Sequence, residues 1–193
     1  MVQFFDENGI CFPATLLEVG PVVVTHVKTK ETDGYEAAQV GYGSRKEHNI
    51  NKAQKGHFKD LGSFAHTKEF RFKEEVPEVK VGDVITASTF AVGDMVVVSG
   101  ISKGKGFQGV VKRYGFKGGP RTHGQKHSEH ECGSIGSTGP QRVFKGLRMP
   151  GRMGGDRISV KGLKVLGVDS ENNMLLVSGA VPGHRGTLIE VRG

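Results

Sequence analysis

Residues 95–119 read MVVVSGISKGKGFQGVVKRYGFKGG. Three kinds of chain meet in that stretch. Met95–Ile101 is a β-branched run of strand length. Ser102–Gly109 is a turn of glycine and lysine. Phe107, Val110, Val111 and Tyr114 then follow the i, i+3, i+4, i+7 spacing of one helix face, which predicts a helix over 106–114. After Tyr114 the periodicity stops, and 115–156 is Gly, Lys, Arg, His, Ser and Pro with isolated apolar residues. An irregular stretch of about 40 residues is unusual inside a compact domain. It persists where another molecule supplies the packing.

Outward from this junction the chain is mainly β. Short Val-rich runs broken by Gly, Pro, Asp and Asn predict strands at Thr15–Val19, Val22–Lys28, Tyr35–Gly41, Val84–Phe90, Met95–Ile101, Ile158–Val168, Met174–Ala180 and Thr187–Val191. Turn residues every ~8–12 positions suggest a barrel or sandwich. Val81-Gly82-Asp83 and Val92-Gly93-Asp94 are two related turn entries. Weak helical spacing at Phe58, Leu61 and Phe64 predicts a short helical segment at about 50–66. The expected organisation is a β-body of residues 1–114 and 157–193, with 115–156 as a basic insertion.

Charge separates the same two parts. Residues 101–161 hold 13 Lys/Arg against three carboxylates, Glu129, Glu131 and Asp156, for +10. The remainder holds 14 against 17, for −3, which restores the +7 of the whole. Basicity confined to one segment points to a polyanionic partner. With 36% apolar residues, 7% aromatics and no Trp, the core should be modest and built from Val, Leu, Ile and Phe. Cys11 and Cys132 do not suggest a disulfide framework, the opening MVQFFDENGICF lacks a secretory pattern, and no apolar run is long enough for a bilayer. A soluble, reducing setting is expected.

Several motifs invite chemistry. Gly104-Lys105-Gly106-Phe107-Gln108-Gly109 matches G-x-G-x-x-G and would, in an enzyme, cradle a nucleotide. The flanking pattern is not βαβ, so phosphate at these glycines is expected to be RNA backbone. His123, His127, His130 and Cys132 resemble metal ligands but lack a paired half-site. No activated Ser or Cys and no paired carboxylates mark a catalytic centre. The densest signal is Val143–Arg157, VFKGLRMPGRMGGDR, where cations recur every three or four residues among Phe, Leu, Met and Gly. Arg pairs with phosphate bidentately and stacks on bases, and Gly lets the backbone come close. The candidate RNA-binding residues are Lys103, Lys105, Lys112, Arg113, Lys117, Arg121, His123, Lys126, His127, Arg142, Lys145, Arg148, Arg152, Arg157 and Lys161.

SKGKGFQGVVKRYGFKGG, THGQKHSEHECGSIGSTGPQRVFKGLRMPGRMGGDRISVKGLKVLGVD and NMLLVSGAVPG together resemble the large-subunit ribosomal protein L-three family in its bacterial or organellar form. The looser segments FFDENGICFPATLLEV, DGYEAAQVGYG and GHFKDLG fit the same family. The resemblance implies a translation-protein-type β-barrel with a few short helices. It implies that 115–156 threads between helices of large-subunit rRNA toward the peptidyl-transferase centre, with Pro150, Gly151, Arg152, Met153 and Gly154 at the far end. The implied role is a structural constituent of the large subunit that supports early assembly, not an enzyme, placed in the cytoplasm or an organellar matrix. Implied partners are rRNA and the neighbouring proteins L-fourteen and L-nineteen, with no membrane, no small-molecule substrate, and no cofactor beyond magnesium held by the RNA. Two departures stand out. Relatives usually open with about ten further residues, and many carry a glutamine, often methylated, where this chain has Arg152, so that methylation is not expected.

Overall fold

In the computed structural model residues 1–72 and 79–193 are described, so the part of the expected 1–114 body at 73–78 lies outside the described residues. The strands in chain order are β1 (Val2–Phe5), β2 (Cys11–Glu18), β3 (Val22–Lys28), β4 (Ala37–Ser44), β5 (Phe64–Arg71), β6 (Val84–Ile85), β7 (Met95–Ile101), β8 (Phe107–Gln108), β9 (Gly151–Arg152), β10 (Arg157–Asp169), β11 (Met174–Ser178) and β12 (Ile189–Arg192). The α-helices are α1 (Lys30–Asp33), α2 (Lys52–Phe58) and α3 (Val110–Tyr114). The chain divides into two compact units: Met1–Val97 with Lys161–Ala180 and Arg192–Gly193, and Val98–Val160 with Val181–Val191.

In the first unit β1, β2, β11 and β10 are neighbours, all antiparallel. Alternation sets which side is core. Leu175 and Val177 of β11 are buried, opposite Leu17 and Thr15 of β2, whereas Leu16, which pairs with Leu176, is exposed. Val165 of β10 pairs with Val177 and is buried beside it. A second sheet has the order β5-β4-β3-β6, with Val24, Ala37, Ala38 and Val40 buried.

The two Val-Gly-Asp turns are built and docked alike. The Lys80 amide donates to Asp83 Oδ2 at 2.7 Å, and the Ala91 amide to Asp94 Oδ2 at 2.9 Å. Gly82 and Gly93 take φ of 97° and 102°, a region that favours glycine. The Gly82 amide donates to the Val24 carbonyl and the Val24 amide to the Asp83 carbonyl; the Gly93 amide and Val165 repeat this pair with Asp94, all four at 2.9 Å. Each turn thus satisfies the backbone of a fully buried valine that the sheet ladder alone leaves open at that point.

Mainly β is what the residues predicted, but the barrel needs correction: the strands form open sheets with edge strands such as β1 and β5. Val84–Phe90 yields only the two-residue β6 followed by a 3-10 turn at Ala87–Thr89, too little pairing to close a sheet. The 50–66 helical segment resolves into α2 and a 3-10 turn at Lys59–Leu61, after which β5 begins at Phe64. The 106–114 helix begins only at Val110, because Phe107–Gln108 is drawn into strand pairing.

β5 is packed through an aromatic-on-glycine contact. A Cβ at Gly41 would stand 2.5–2.7 Å from the Phe64 ring. Gly41→Ala is therefore expected to cost ~1–3 kcal/mol by overpacking, measured by denaturant unfolding. On the same sheet Lys28 Nζ lies 3.1 Å from Glu69 Oε1 and 2.7 Å from the Tyr35 hydroxyl, which donates to Glu69 Oε2 at 2.9 Å. The Tyr35 and then the Glu69 hydrogen bond raise the Lys28 pKa above its ordinary value; the Lys28 and then the Tyr35 bond hold the Glu69 carboxyl below its own. With its pKa lowered on folding, Glu69 adds stability above the ordinary carboxylate value of 4.5, and this is lost as pH falls through the folded value. Lys28, with its pKa raised, adds stability present below 10.5 and lost as pH rises through its folded value. Glu69→Gln should flatten the acid limb of a stability-against-pH curve, read from urea midpoints at about pH 3 to 7.

Candidate nucleic-acid interface

The second unit is organised around one backbone clamp. β8 pairs antiparallel with β9, Phe107 opposite Arg152 and Gln108 opposite Gly151. The ladder continues outside the strands. The Lys105 amide donates to the Met153 carbonyl and the Met153 amide to the Gly106 carbonyl, both at 2.9 Å. The Ser102 amide donates to the Asp156 carbonyl at 2.9 Å, the Gly155 amide to the Ser102 carbonyl at 3.2 Å, and the Asp156 amide to Ser102 Oγ at 3.2 Å. Residues about fifty apart in sequence are thus locked at the two ends of the insertion. Gly154 permits it: its φ is +75°, and a Cβ there would collide with the Lys103 carbonyl oxygen.

The clamp involves part of the segment Pro150, Gly151, Arg152, Met153 and Gly154, for which the resemblance implies the far end of the arm. The backbone of Gly151, Arg152 and Met153 is paired to Lys105–Gln108 at the root of the insertion, and the chain most distant in sequence from both paired ends lies between Gly119 and Arg148. Gly154 here serves close backbone packing. The glycine turn does not enter a nucleotide-binding helix either. It enters an antiparallel pair, and α3 is a five-residue helix with a left-handed C-cap at Gly115.

Residues 115–150 contain no helix or strand but are internally tied. The Gly119 amide donates to the Glu129 carbonyl at 3.2 Å, and neither Gly118 nor Gly119 has room for a side chain against the Glu129 and Ser128 carbonyls. Arg121 Nε lies 2.6 Å from Glu129 Oε1, with His130 Nε2 3.9 Å from the same oxygen. Nearer the root, Arg113 Nη1 donates to the Met149 carbonyl at 2.7 Å. The Tyr114 ring takes the Arg113 and Arg148 guanidiniums at 4.9 and 5.8 Å, and Arg142 lies 5.6 Å from the Phe144 ring.

Of the predicted residues, Lys103, Lys105, Lys112, Lys117, Arg121, His123, Lys126, His127, Arg142, Lys145, Arg148, Arg152 and Arg157 are exposed on this unit, and Arg113 is half-buried. Lys161 is exposed on the first unit. Among the described residues Arg121 and Arg157 are held by carboxylates, the latter by Glu190 at 2.6 Å, while Lys103, Lys105, Lys112, Lys117, Lys126, Arg142, Lys145, Arg148 and Arg152 are not. Arg113 is committed to the insertion's own return segment. Val143, Phe144, Leu147 and Ile135 are 41–55% exposed beside these cations. His123, His127, His130 and Cys132 do not converge, and no group of three metal-ligating side chains occurs among the described residues. Sequence reasoning named Gly154 but not its place in the clamp, and missed Ser102 and Glu129 as partners. The Gly154-Gly155 pair opposite the glycines at 104 and 106 was the available signal of two backbones in close approach. By unit, the charge is 13 Lys/Arg against 4 Asp/Glu here, +9, and 14 against 16 in the first unit, −2.

A family model described as Ribosomal protein L3 matches residues 45–173. The large ribosomal subunit protein uL3 of Desulfitobacterium hafniense (strain Y51) is 50% identical over 191 residues, covering 98% of this chain and 89% of that one. Its namesake in Dehalococcoides mccartyi is 47% identical over 193 residues, covering 100% and 93%, and that of Agathobacter rectalis 44% over 210 residues, covering 100% and 92%.

Gly154→Ala should release the clamp, costing ~1–3 kcal/mol through strain and collision. The check is loss of hydrogen-exchange protection at the Lys105 and Met153 amides. Arg152→Gln, at an exposed side chain whose backbone pairing is indifferent to the substitution, should stay within ~0.5 kcal/mol of the parent.

Proposed function

The chain belongs to the ribosomal protein L3 family, and from that premise we propose that residues 115–150 and the clamp at their root form its rRNA-binding arm. As a member of the family it is a component of the large ribosomal subunit and not an enzyme, which sets aside a nucleotide-dependent enzyme built on Gly104–Gly109. In bacteria that component works in the cytoplasm, and among the described residues no helix is long and apolar enough to cross a membrane.

The observation that carries the proposal is the pairing of unneutralised cations with uncovered apolar side chains on irregular chain. A free loop with Val143, Phe144, Leu147 and Ile135 open to water leaves apolar area unburied. RNA supplies both what the cations lack and what the apolar residues lack: phosphates and the faces of bases. Because the ends of 115–150 are locked together, the arm presents a doubled-back segment, and its ordering cost on RNA is lower than for a chain free at both ends. The finer role follows the same line: early binding to large-subunit rRNA, support of subunit assembly, and positioning of RNA close to the peptidyl-transferase centre. The L-fourteen and L-nineteen neighbours belong to this proposal, as does magnesium held by the RNA rather than by the protein. On this reading Pro150, Gly151, Arg152, Met153 and Gly154 are the part of the arm that approaches the catalytic RNA.

If six to eight phosphates are neutralised, log affinity for protein-free large-subunit rRNA should fall against log salt with a slope of roughly −4 to −7. Filter binding across salt concentrations measures it, and a slope near zero rejects the proposal.

A further inference from the structure

Arg113 stands apart from the other cations of the second unit. It is half-buried, and its guanidinium meets an uncharged group in place of a carboxylate: Nη1 donates to the Met149 carbonyl, 36 residues on, at 2.7 Å. Taking a guanidinium partly out of water for a neutral acceptor costs free energy, so the arrangement needs a physical return.

That return lies in the segment it holds. Pro150 follows Met149 and has no amide proton, so it cannot donate to extend the β8–β9 ladder beyond Gly151. Arg113 takes over at that step, through the carbonyl before the proline. Gly151 completes the seat. It has no positive φ, yet a Cβ built on it would stand 2.8 Å from Arg113 Nη1 and 3.4 Å from Cζ. The arginine, and not the backbone conformation, is what calls for glycine there. The Tyr114 ring adds a further hold, with the Arg113 guanidinium at 4.9 Å and that of Arg148 at 5.8 Å. The grip starts from a fixed base: Val110 is buried, the Arg113 amide donates to the Gly109 carbonyl, and the Gly115 amide closes α3 on the Val111 carbonyl, both at 2.9 Å.

We infer that Arg113 is a positioning residue and not a phosphate ligand: bonded to the Met149 carbonyl and seated on Gly151, it fixes where Pro150–Gly154 stand before RNA arrives. The inference deepens the reading of 115–150 and its root as the rRNA-binding arm, and rests on that reading for its effect on RNA. A cation that touches phosphate needs little more than its charge. A cation that holds Met149 and Gly151 needs the planar fork, because it must bond a carbonyl while packing against a glycine and an aromatic ring. Fixing the segment in advance lowers the cost of ordering it on RNA.

The full chain is compared with three variants: Arg113→Lys, Gly151→Ala and the two together. Arg113→Lys keeps the charge and removes the fork. Gly151→Ala keeps the arginine and fills its seat. In the free protein each single variant should lose hydrogen-exchange protection at the Met153 and Lys105 amides. The Val165 amide of the first unit, bonded to the Asp94 carbonyl at 2.9 Å, should keep its protection and so show that the body is folded. On protein-free large-subunit rRNA each single variant should bind roughly tenfold more weakly, about the loss of one charge-assisted bond, with the salt slope unchanged. The double variant should bind no more weakly than either single one, because both remove the same seat. Arg113→Lys binding like the parent overturns the inference, since charge alone then suffices. A slope shallower by about one in that variant overturns it in favour of a direct phosphate contact. Losses that multiply to about a hundredfold in the double variant overturn it too, because Arg113 and Gly151 then act apart. If the parent itself binds with no salt dependence, the arm reading fails, and the exchange data on the free protein still decide the seat: protection retained at Met153 and Lys105 in both single variants overturns it.

Discussion

The ladder between Ser102–Gln108 and Gly151–Asp156 is the constraint on which the second unit depends. Without it, 115–150 would be a free loop whose ends wander, and closing so long a loop costs conformational entropy. The clamp meets that cost once, at a place where backbone amides and carbonyls find each other without side chains in the way. Gly154 is the permissive residue, with positive φ and no room for a Cβ against the Lys103 carbonyl. Beyond the clamp the insertion needs no regular structure, because short local contacts suffice to keep it doubled back: Gly119 on Glu129, Arg113 on Met149, and Tyr114 between two guanidiniums.

Charge and fold are divided along the same line. The first unit, at −2, holds most of the buried valines and leucines, while the second, at +9, holds irregular chain. A unit that must bury its own core needs little net charge. In the second unit, where Val143, Phe144 and Leu147 stand exposed among cations, like-charge repulsion opposes collapse of the segment onto itself.

Two features of the first unit show how a small core is made sufficient. The paired Val-Gly-Asp turns each close the open backbone of one buried valine, Val24 and Val165, with the same geometry. Gly41 lets the Phe64 ring lie directly on the β4 backbone, which covers area that no side chain at that position could. With no tryptophan and few aromatics, such contacts extend the core at low cost in side-chain volume.

Mainly β structure, the position of most strands, the irregular insertion and its charge could be read from the residues, because period-2 alternation, β-branched runs and net charge are local properties. β1 and β5 are not legible in the sequence, since Val2–Phe5 is too short to show a period and Phe64–Arg71, FAHTKEFR, has one β-branched residue and no apolar alternation. The root of the arm was not legible. Phe107, Val110, Val111 and Tyr114 fit a helix spacing, and only pairing with Gly151–Arg152 decided that Phe107 and Gln108 would be strand. Likewise only the pairing showed that Gly151 and Arg152 form a strand against Phe107 and Gln108. The sequence determined by itself which residues seek water, core or phosphate, because that depends on side-chain chemistry. Only the tertiary structure decided which glycines are spent on backbone contact and which, like Gly56, stand open, because that depends on what another part of the chain places within 4 Å.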